Sequence, residues 1–167
     1  MDRHRRAGAS GNIATVEPYR AGVAVGRPRS LKTALQSRMV VVLDTRRESR
    51  ALQLIHPQTR CIRAGDVHEL IVTDEMECRP GDQVNHVVGI GFAAFDSSGV
   101  IMVGDAVHSA QHGLLGTIGG FDESHAPNHF NIVLKHETRR TGRELGLQLD
   151  EAIVISGRTE WEGPESR

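Results

Sequence analysis

Residues 85–96, NHVVGIGFAAFD, are the stretch of sequence that decides the fold. From Val87 to Phe95 every residue is apolar or glycine, so a strand formed here would be buried on both of its faces. Such a run is typical of a central strand rather than an edge strand. Gly89 and Gly91 lie within it and indicate a bend, as at the corner of a barrel.

Further short runs rich in valine and isoleucine lie on both sides of this strand, and turn residues end each of them. No long helices alternate with these runs. We therefore predict an all-β single domain, a partly closed antiparallel β-barrel with a β-sandwich as the alternative, and at most one or two short helices. The runs are MVVVLDTR (39–46), RALQLIH (50–56), HELIVTDE (68–75), VIMVGDAV (100–107), FNIVLKHE (130–137) and EAIVISGR (151–158).

Three local patterns predict turns or helical structure. Residues 95–100, with Asp-Ser-Ser-Gly at their centre, predict a hairpin turn between two adjacent antiparallel strands. Residues 141–150 predict a short helix, because Thr141 and Glu144 have the spacing of a capping box. The alternation of Leu145, Leu147 and Leu149 makes a strand the alternative. Residues 30–38, SLKTALQSR, can make one or two helical turns with Ser30 as the N-cap.

The length of 167 residues suits one domain. Residues 1–12 are small, polar and basic, which predicts a disordered N-terminal tail. Residues 13–158 would form the β domain, and the polar residues 159–167 a loose C-terminal tail.

Charge and cysteine content limit the function classes. The formal net charge is −1, whereas nucleic-acid binders need an excess of Lys and Arg, so no nucleic-acid partner is expected. No stretch approaches the roughly 20 apolar residues of a membrane span, and no apolar run follows the basic N-terminus as in a secretory signal. Cys61 and Cys78 lack metal or redox spacing. These features predict a cytoplasmic protein with reduced thiols.

Residues 104–132, GDAVHSAQHGLLGTIGGFDESHAPNHFNI, contain four of the nine histidines together with acidic residues and glycines. Histidines and carboxylates cost free energy to bury unless they are paired or bind a metal, and glycines weaken regular structure. A sequence that breaks local folding rules over this length indicates a functional site.

A metal site is the first interpretation of this segment. Glu123 and His125 share one face of an extended chain, and a kink at Pro127 can bring His129 back toward His125. One carboxylate and two imidazoles suit a divalent metal such as zinc, iron or manganese. His108 or His112 can supply a third nitrogen.

Metal-free acid–base catalysis is the second interpretation. Asp122 or Glu123 would be a general base and His125 or His129 its acid partner, while Asn128 would hold a substrate carbonyl or an enolate oxygen. The non-functional alternative is a hydrogen-bond network that pins a long loop.

Substrate contacts are predicted from neighbouring residues. The glycine-rich stretch 113–120, which includes Gly119 and Gly120, would form either a flexible lid over the barrel mouth or a cradle of backbone N–H groups for an anion. His108, His112 and Arg139 would also face the substrate. No phosphate-loop or dinucleotide motif is present, so no nucleotide cofactor is expected.

Taken together, these features predict a small enzyme that acts on a carboxylated or carbonyl-bearing small molecule by proton transfer or hydrolysis, with or without a metal. Its class would be lyase, isomerase or hydrolase. A non-catalytic β-barrel that binds a small molecule and a structural, oligomer-forming module are the alternatives. Small β domains with open edges often associate, so a homo-oligomer is expected.

Overall fold

The computed structural model describes residues 32–157, which form one all-β domain and confirm the predicted fold class. The predicted tails, 1–12 and 159–167, lie outside the described residues. The elements are β1 (Leu35–Arg47), β2 (Leu52–Gln53), β3 (Thr59–Ile62), β4 (Val67–Thr73), β5 (Gln83–Val84), β6 (Val87–Phe95), β7 (Gly99–Met102), β8 (Ala106–Ser109), β9 (Gly113–Asp122), β10 (Asn131–Lys135), α1 (Gly142–Leu145) and β11 (Ala152–Ser156).

Seven of the strands close into a barrel in the order β1-β11-β8-β9-β10-β4-β6, with β6 pairing back onto β1. The barrel is mixed rather than wholly antiparallel, because β4 and β10 run parallel while the other neighbours are antiparallel. Strand directions cannot alternate around a closed ring with an odd number of members. A seven-stranded barrel must therefore contain a parallel pair, and here it lies between β4 and β10.

The barrel interior is filled by apolar side chains from all seven strands. Leu70 of β4, Ile90 of β6, Phe121 of β9 and Ile132 of β10 are all fully buried there, with 0% exposure. Alternate residues of a strand point to opposite faces, so the neighbours of these residues point outward. The buried apolar side chains inside the barrel are called the inner core below.

A second apolar cluster, called the outer core below, covers part of the outside of the barrel. It contains Ile71 of β4 and Val133 of β10, which alternate with inner-core residues, together with Leu52, Leu54 and Val84. The short β2–β5 pair belongs to this cover. Backbone bonds from Ile55 to Phe121, 2.9 Å, and from Leu54 to Asp82, 2.9 Å, tie the covering segment down.

The bend predicted in residues 85–96 is present in β6 as shifts of register against both neighbouring strands. Gly91 has φ +156, and a Cβ there would lie 2.0 Å from the carbonyl oxygen of Val41. Only glycine allows β1 to approach so closely.

The glycine-rich stretch 113–120 is not a lid, and this interpretation was wrong. It forms most of β9, a barrel strand paired with β8 and β10. Gly119 lies at a shift of register opposite Val133 and Leu134, and Gly120 makes room for Leu54, whose Cδ1 would be 3.0 Å from an added Cβ. The glycines therefore accommodate a bulge and the outer core.

Two further local predictions need correction. The turn after Phe95 connects β6 to β7, but β7 leaves the barrel and pairs with β3, so no hairpin forms there. Residues 35–38 belong to β1 instead of a helix, because Leu35, Ser37 and Met39 alternate as buried positions. Ser30 lies outside the described residues.

The capping box at Thr141 and Glu144 is confirmed in both directions, and it begins the four-residue helix α1. Gly146 then ends the helix in the left-handed conformation, so the helix is shorter than predicted. Along the part of the chain that the structure describes, no helix is long and apolar enough to cross a membrane.

Candidate functional site

The loop between β9 and β10, residues 123–130, brings two of the predicted histidines together. The backbone N–H groups of Asn128 and His129 donate to the carbonyl oxygen of His125, at 3.0 and 3.4 Å, which folds the loop into a turn. The two imidazole rings consequently stack, with their centroids 4.8 Å apart and their planes 15° apart. The predicted approach of His129 to His125 is thus confirmed.

Glu69 supplies the carboxylate of this group. It lies on β4, and in the sheet it is the register partner of Asn131 on the parallel strand β10. Because Leu70 faces the inner core, Glu69 points out of the barrel, where its Oε2 is 3.6 Å from His129 Nε2. One ligand atom from each of Glu69, His125 and His129 lies within 4.8 Å of the others. These three residues are called the Glu-His-His group below.

The surroundings of His129 hold its ring in place. The edge of Phe92 approaches the ring at a centroid distance of 5.0 Å, and the Asn128 side-chain amide lies 3.0 Å from Nδ1. The other ring nitrogen, Nε2, is buried without a hydrogen-bond partner. Its distance of 3.6 Å from Glu69 is too long for a hydrogen bond.

Burial and three neighbouring side chains act in opposite directions on the pKa of Glu69. Burial raises the pKa of Glu69, while the nearby His129, His125 and Arg50 act in the opposite direction. The exposed Arg50 places Nη2 3.2 Å from His125 Nε2. Glu69 and His129 are mostly buried and His125 is exposed, so the group is open to solvent on the His125 side.

Glu123, the carboxylate predicted from sequence, lies elsewhere and is replaced by Glu69 in the group. Its side chain forms an ion pair with Arg60 of β3. Asp122, the other predicted base, has 3% exposure, and its Oδ1 accepts hydrogen bonds from Ser124 N–H and from Asn131 Nδ2, the latter at 2.8 Å. It therefore anchors the start of the loop.

Three residues predicted to contact a substrate lie far from the group or have other partners. His108 is exposed on β8, and His112 is in the turn before β9 with Nε2 3.6 Å from Glu151. The ten residues of β9 span about 30 Å, so His112 is at the opposite end of that strand from Asp122. Arg139 pairs with Asp74 at 2.8 Å and Glu48 at 3.0 Å, which raises its pKa and balances its charge.

Sequence reasoning missed Glu69, Arg50 and Arg60. The one signal for Glu69 was its place beside His68 at the start of the apolar run Leu70–Val72. The local sequence around β4 does not indicate that β4 pairs with β10. It therefore does not indicate that Glu69 lies beside His129.

One separation within the group matches that of two ligands on a divalent metal. Ligand bonds of about 2.1 Å in tetrahedral geometry place two ligand atoms about 3.4 Å apart. The separation of Glu69 Oε2 and His129 Nε2, 3.6 Å, is close to this value. The Asn128 amide nitrogen lies 3.0 Å from His129 Nδ1 and holds the ring against the loop.

A pocket of about 620 Å³ lies beside this loop, outside the barrel. The covering segment 53–57 forms one side, and Arg60 and Glu123 form another. It is large enough for a small-molecule ligand.

No curated protein and no solved structure matches this chain. The sequence model of one family, described as Family of unknown function (DUF6917), matches residues 29–156, which include every strand of the barrel. The chain therefore belongs to the DUF6917 family.

Proposed function

We propose that this protein is a small metal-dependent enzyme whose metal is held by Glu69, His125 and His129. It would act on a carbonyl-bearing or carboxylated small molecule by hydrolysis or proton transfer, as a hydrolase, lyase or isomerase. Zinc, iron and manganese are the metals that accept two imidazoles and one carboxylate.

The buried His129 Nε2 is the observation that carries this proposal. His129 Nε2 is buried without a hydrogen-bond partner, which is costly, and a bound ion is one of the explanations for such an atom. This nitrogen faces the Glu69 carboxylate at the separation of two ligands on one ion. A cation between them would satisfy Nε2 and offset the burial of the charged carboxylate.

The open His125 side explains why we favour catalysis over a structural metal. Three protein ligands leave at least one coordination position for water or substrate, whereas structural zinc sites are closed by four. A metal there would act as a Lewis acid toward a carbonyl oxygen and lower the pKa of a bound water. Arg50 lies beside the open side and can orient a negatively charged substrate.

Metal-free acid–base catalysis would use a different base from the two that were predicted, with His129 still as the acid. Asp122 and Glu123 both have polar partners, so Glu69, whose pKa is raised by burial, would be the base and His129 the acid. Non-catalytic ligand binding is the second candidate function, because the pocket of about 620 Å³ has apolar walls at Leu54 and Ile55.

We place the enzyme in the cytoplasm, since Cys61 and Cys78 are both unpaired thiols, which are typical of a reducing compartment. The partner would be a small molecule. A homo-oligomer remains a prediction.

Metal analysis of the untagged protein tests the proposal. After equilibration with zinc, manganese or iron(II) and removal of unbound ions, we expect close to one metal per chain in the wild type. Glu69→Gln, His125→Ala and His129→Ala should each lose most of it, because each removes one of three ligands. Metal-dependent turnover of esters, lactones or β-hydroxy carbonyl compounds would then identify the reaction.

Glu123→Gln and His108→Ala are matched controls, since neither residue belongs to the Glu-His-His group, and both variants should keep the metal. A wild type that binds no metal while the variants remain folded would refute the metal site. Equal loss of metal in Glu123→Gln would show that the carboxylate has been assigned to the wrong residue.

A further inference from the structure

The pocket beside the loop joins an apolar wall to a charged end. Leu54, Ile55 and Pro57 of the covering segment form the wall, and Arg60 and Glu123 form the charged end. The barrel interior is already filled by the inner core, so this pocket lies between the covering segment and the β9–β10 loop. Its two ends suit a ligand with an apolar body and one charged group.

Arg60 is held in an orientation that suits anion recognition. Its guanidinium lies over the ring of Phe130, 4.9 Å from the centroid, and that ring in turn stacks on His68 at 3.6 Å. The Nε atom is buried without a hydrogen-bond partner. Burial also lowers the pKa of Arg60, although a guanidinium remains charged at neutral pH. The cation is thus rigid, partly dehydrated and incompletely paired.

Glu123 is the partner that a ligand would displace. Its side chain is 43% exposed and comes from the β9–β10 loop, whereas Arg60 is 26% exposed and packed on an aromatic ring. Ion pairs with exposed partners contribute little free energy, so a ligand carboxylate can exchange with Glu123. A guanidinium binds planar carboxylates through two parallel hydrogen bonds.

The pocket is close to the Glu-His-His group. Glu123 lines the pocket and begins the turn that contains His125, because its carbonyl oxygen accepts from Ala126 N–H at 2.9 Å. A ligand anchored at Arg60 can therefore present its other end toward His125.

We infer that this pocket binds small organic carboxylates with an apolar body, and that Arg60 holds the carboxylate in exchange for Glu123. The role of the pocket as the substrate subsite of an enzyme rests on the function proposed above. Its binding of carboxylates is tested separately. Arg60 would then determine specificity for acids over neutral analogues.

Binding of matched acids and amides to the full-length protein tests the inference. The probes are benzoate and 3-phenylpropanoate, each compared with its neutral amide, and affinity is followed from amide shifts in NMR spectra. We expect at least one acid to bind about tenfold or more tightly than its amide, because only the acid forms charge-assisted bonds with Arg60. Arg60→Gln should abolish this preference.

Two variants separate recognition from folding. Glu123→Gln should bind the acid about twofold to fivefold more tightly, because the internal competitor has lost its charge. Arg63→Gln is the matched control; Arg63 is exposed just after β3 and is not among the residues that line the pocket, so affinity should not change.

Two results would overturn the inference. One is the absence of any preference for acid over amide at probe concentrations up to about 10 mM in both the wild type and Glu123→Gln. The other is a preference that persists in folded Arg60→Gln. The measurement is repeated on chelator-treated protein, so that acid binding without bound metal would support the pocket even where the proposed metal function fails.

Discussion

At the scale of single residues, His68 is a buried histidine packed between aromatic rings. It is on the inward face of β4, stacked on Phe130, and the Phe130 backbone N–H donates to its Nδ1 at 3.3 Å. Its Nε2 is buried without a hydrogen-bond partner, and Asp66 Oδ2 lies 3.9 Å away. Burial lowers the pKa of His68 to about 4, with Asp66 opposing this shift and His129 and Arg60 adding to it. A neutral ring here avoids a second cation beneath the Arg60–Phe130 stack.

We predict that the ring resonances of His68 stay unchanged in NMR spectra as the pH falls from about 8 to about 5. They should move only around pH 4, the value to which its pKa is lowered. Since the folded-state pKa is below the ordinary value of 6.5, the neutral ring stabilises the fold above pH 6.5, and this contribution is lost as the pH falls toward 4.

The His68→Gln variant assigns the resonance. As the pH falls from 6.5 toward 4, this variant should also lose less free energy of unfolding than the wild type, because it has no ring to protonate. Urea denaturation measures the difference. A His68 resonance that titrates with a midpoint near 6.5 would contradict the buried, neutral assignment.

At the scale of elements, glycines decide how the strands bend and approach one another. Gly91 lets β6 bulge against β1, and Gly119 and Gly120 let β9 bulge beneath the covering segment. In the sequence, glycines in strands resemble loop residues, which is why the stretch 113–120 was interpreted as a lid. Their role becomes visible only when the neighbouring backbone and Leu54 are in place.

Gly91→Ala should destabilise the fold by about 3 kcal/mol or more, because the added methyl group meets the Val41 carbonyl and the backbone is in a region that L-residues avoid. The measurement is the free energy of unfolding from urea titration.

Gly113→Ala is the control for backbone conformation alone. Gly113 has φ +74, and a Cβ there would meet nothing within 4 Å, so the expected loss is about 1 kcal/mol. Equal losses in the two variants would show that backbone strain, rather than the close approach of β1, explains the role of Gly91.

At the scale of the whole molecule, the Glu-His-His group links parts of the chain that are far apart in sequence. Glu69 belongs to β4, while His125 and His129 belong to the loop that precedes β10. A metal bound by all three would join this loop to the barrel wall. Because an unfolded chain does not assemble the three ligands, metal binding would stabilise the fold.

We therefore expect zinc or manganese at about 100 times its dissociation constant to raise the free energy of unfolding by about 2.7 kcal/mol. Urea denaturation with the metal and with a chelator measures this difference. Glu69→Gln should show no metal-dependent gain, whereas Glu123→Gln should show the full gain. A gain of the same size in Glu69→Gln would place the metal elsewhere on the protein.

The amino-acid sequence by itself determined the features that depend on near neighbours. The all-β class followed from short apolar runs and turn residues, the helix start from the Thr141–Glu144 spacing, and the approach of His125 to His129 from the kink at Pro127. In each case the interacting groups are a few positions apart, so backbone geometry alone brings them together.

Only the tertiary structure decided which carboxylate joins the two histidines. Glu69 and His129 are separated by 60 positions and meet because β4 and β10 are the parallel pair that a seven-stranded ring requires. Glu123 is near His125 in sequence, yet it pairs with Arg60 of β3. Barrel closure and strand register depend on the packing of all strands at once, and no local pattern in the chain specifies them.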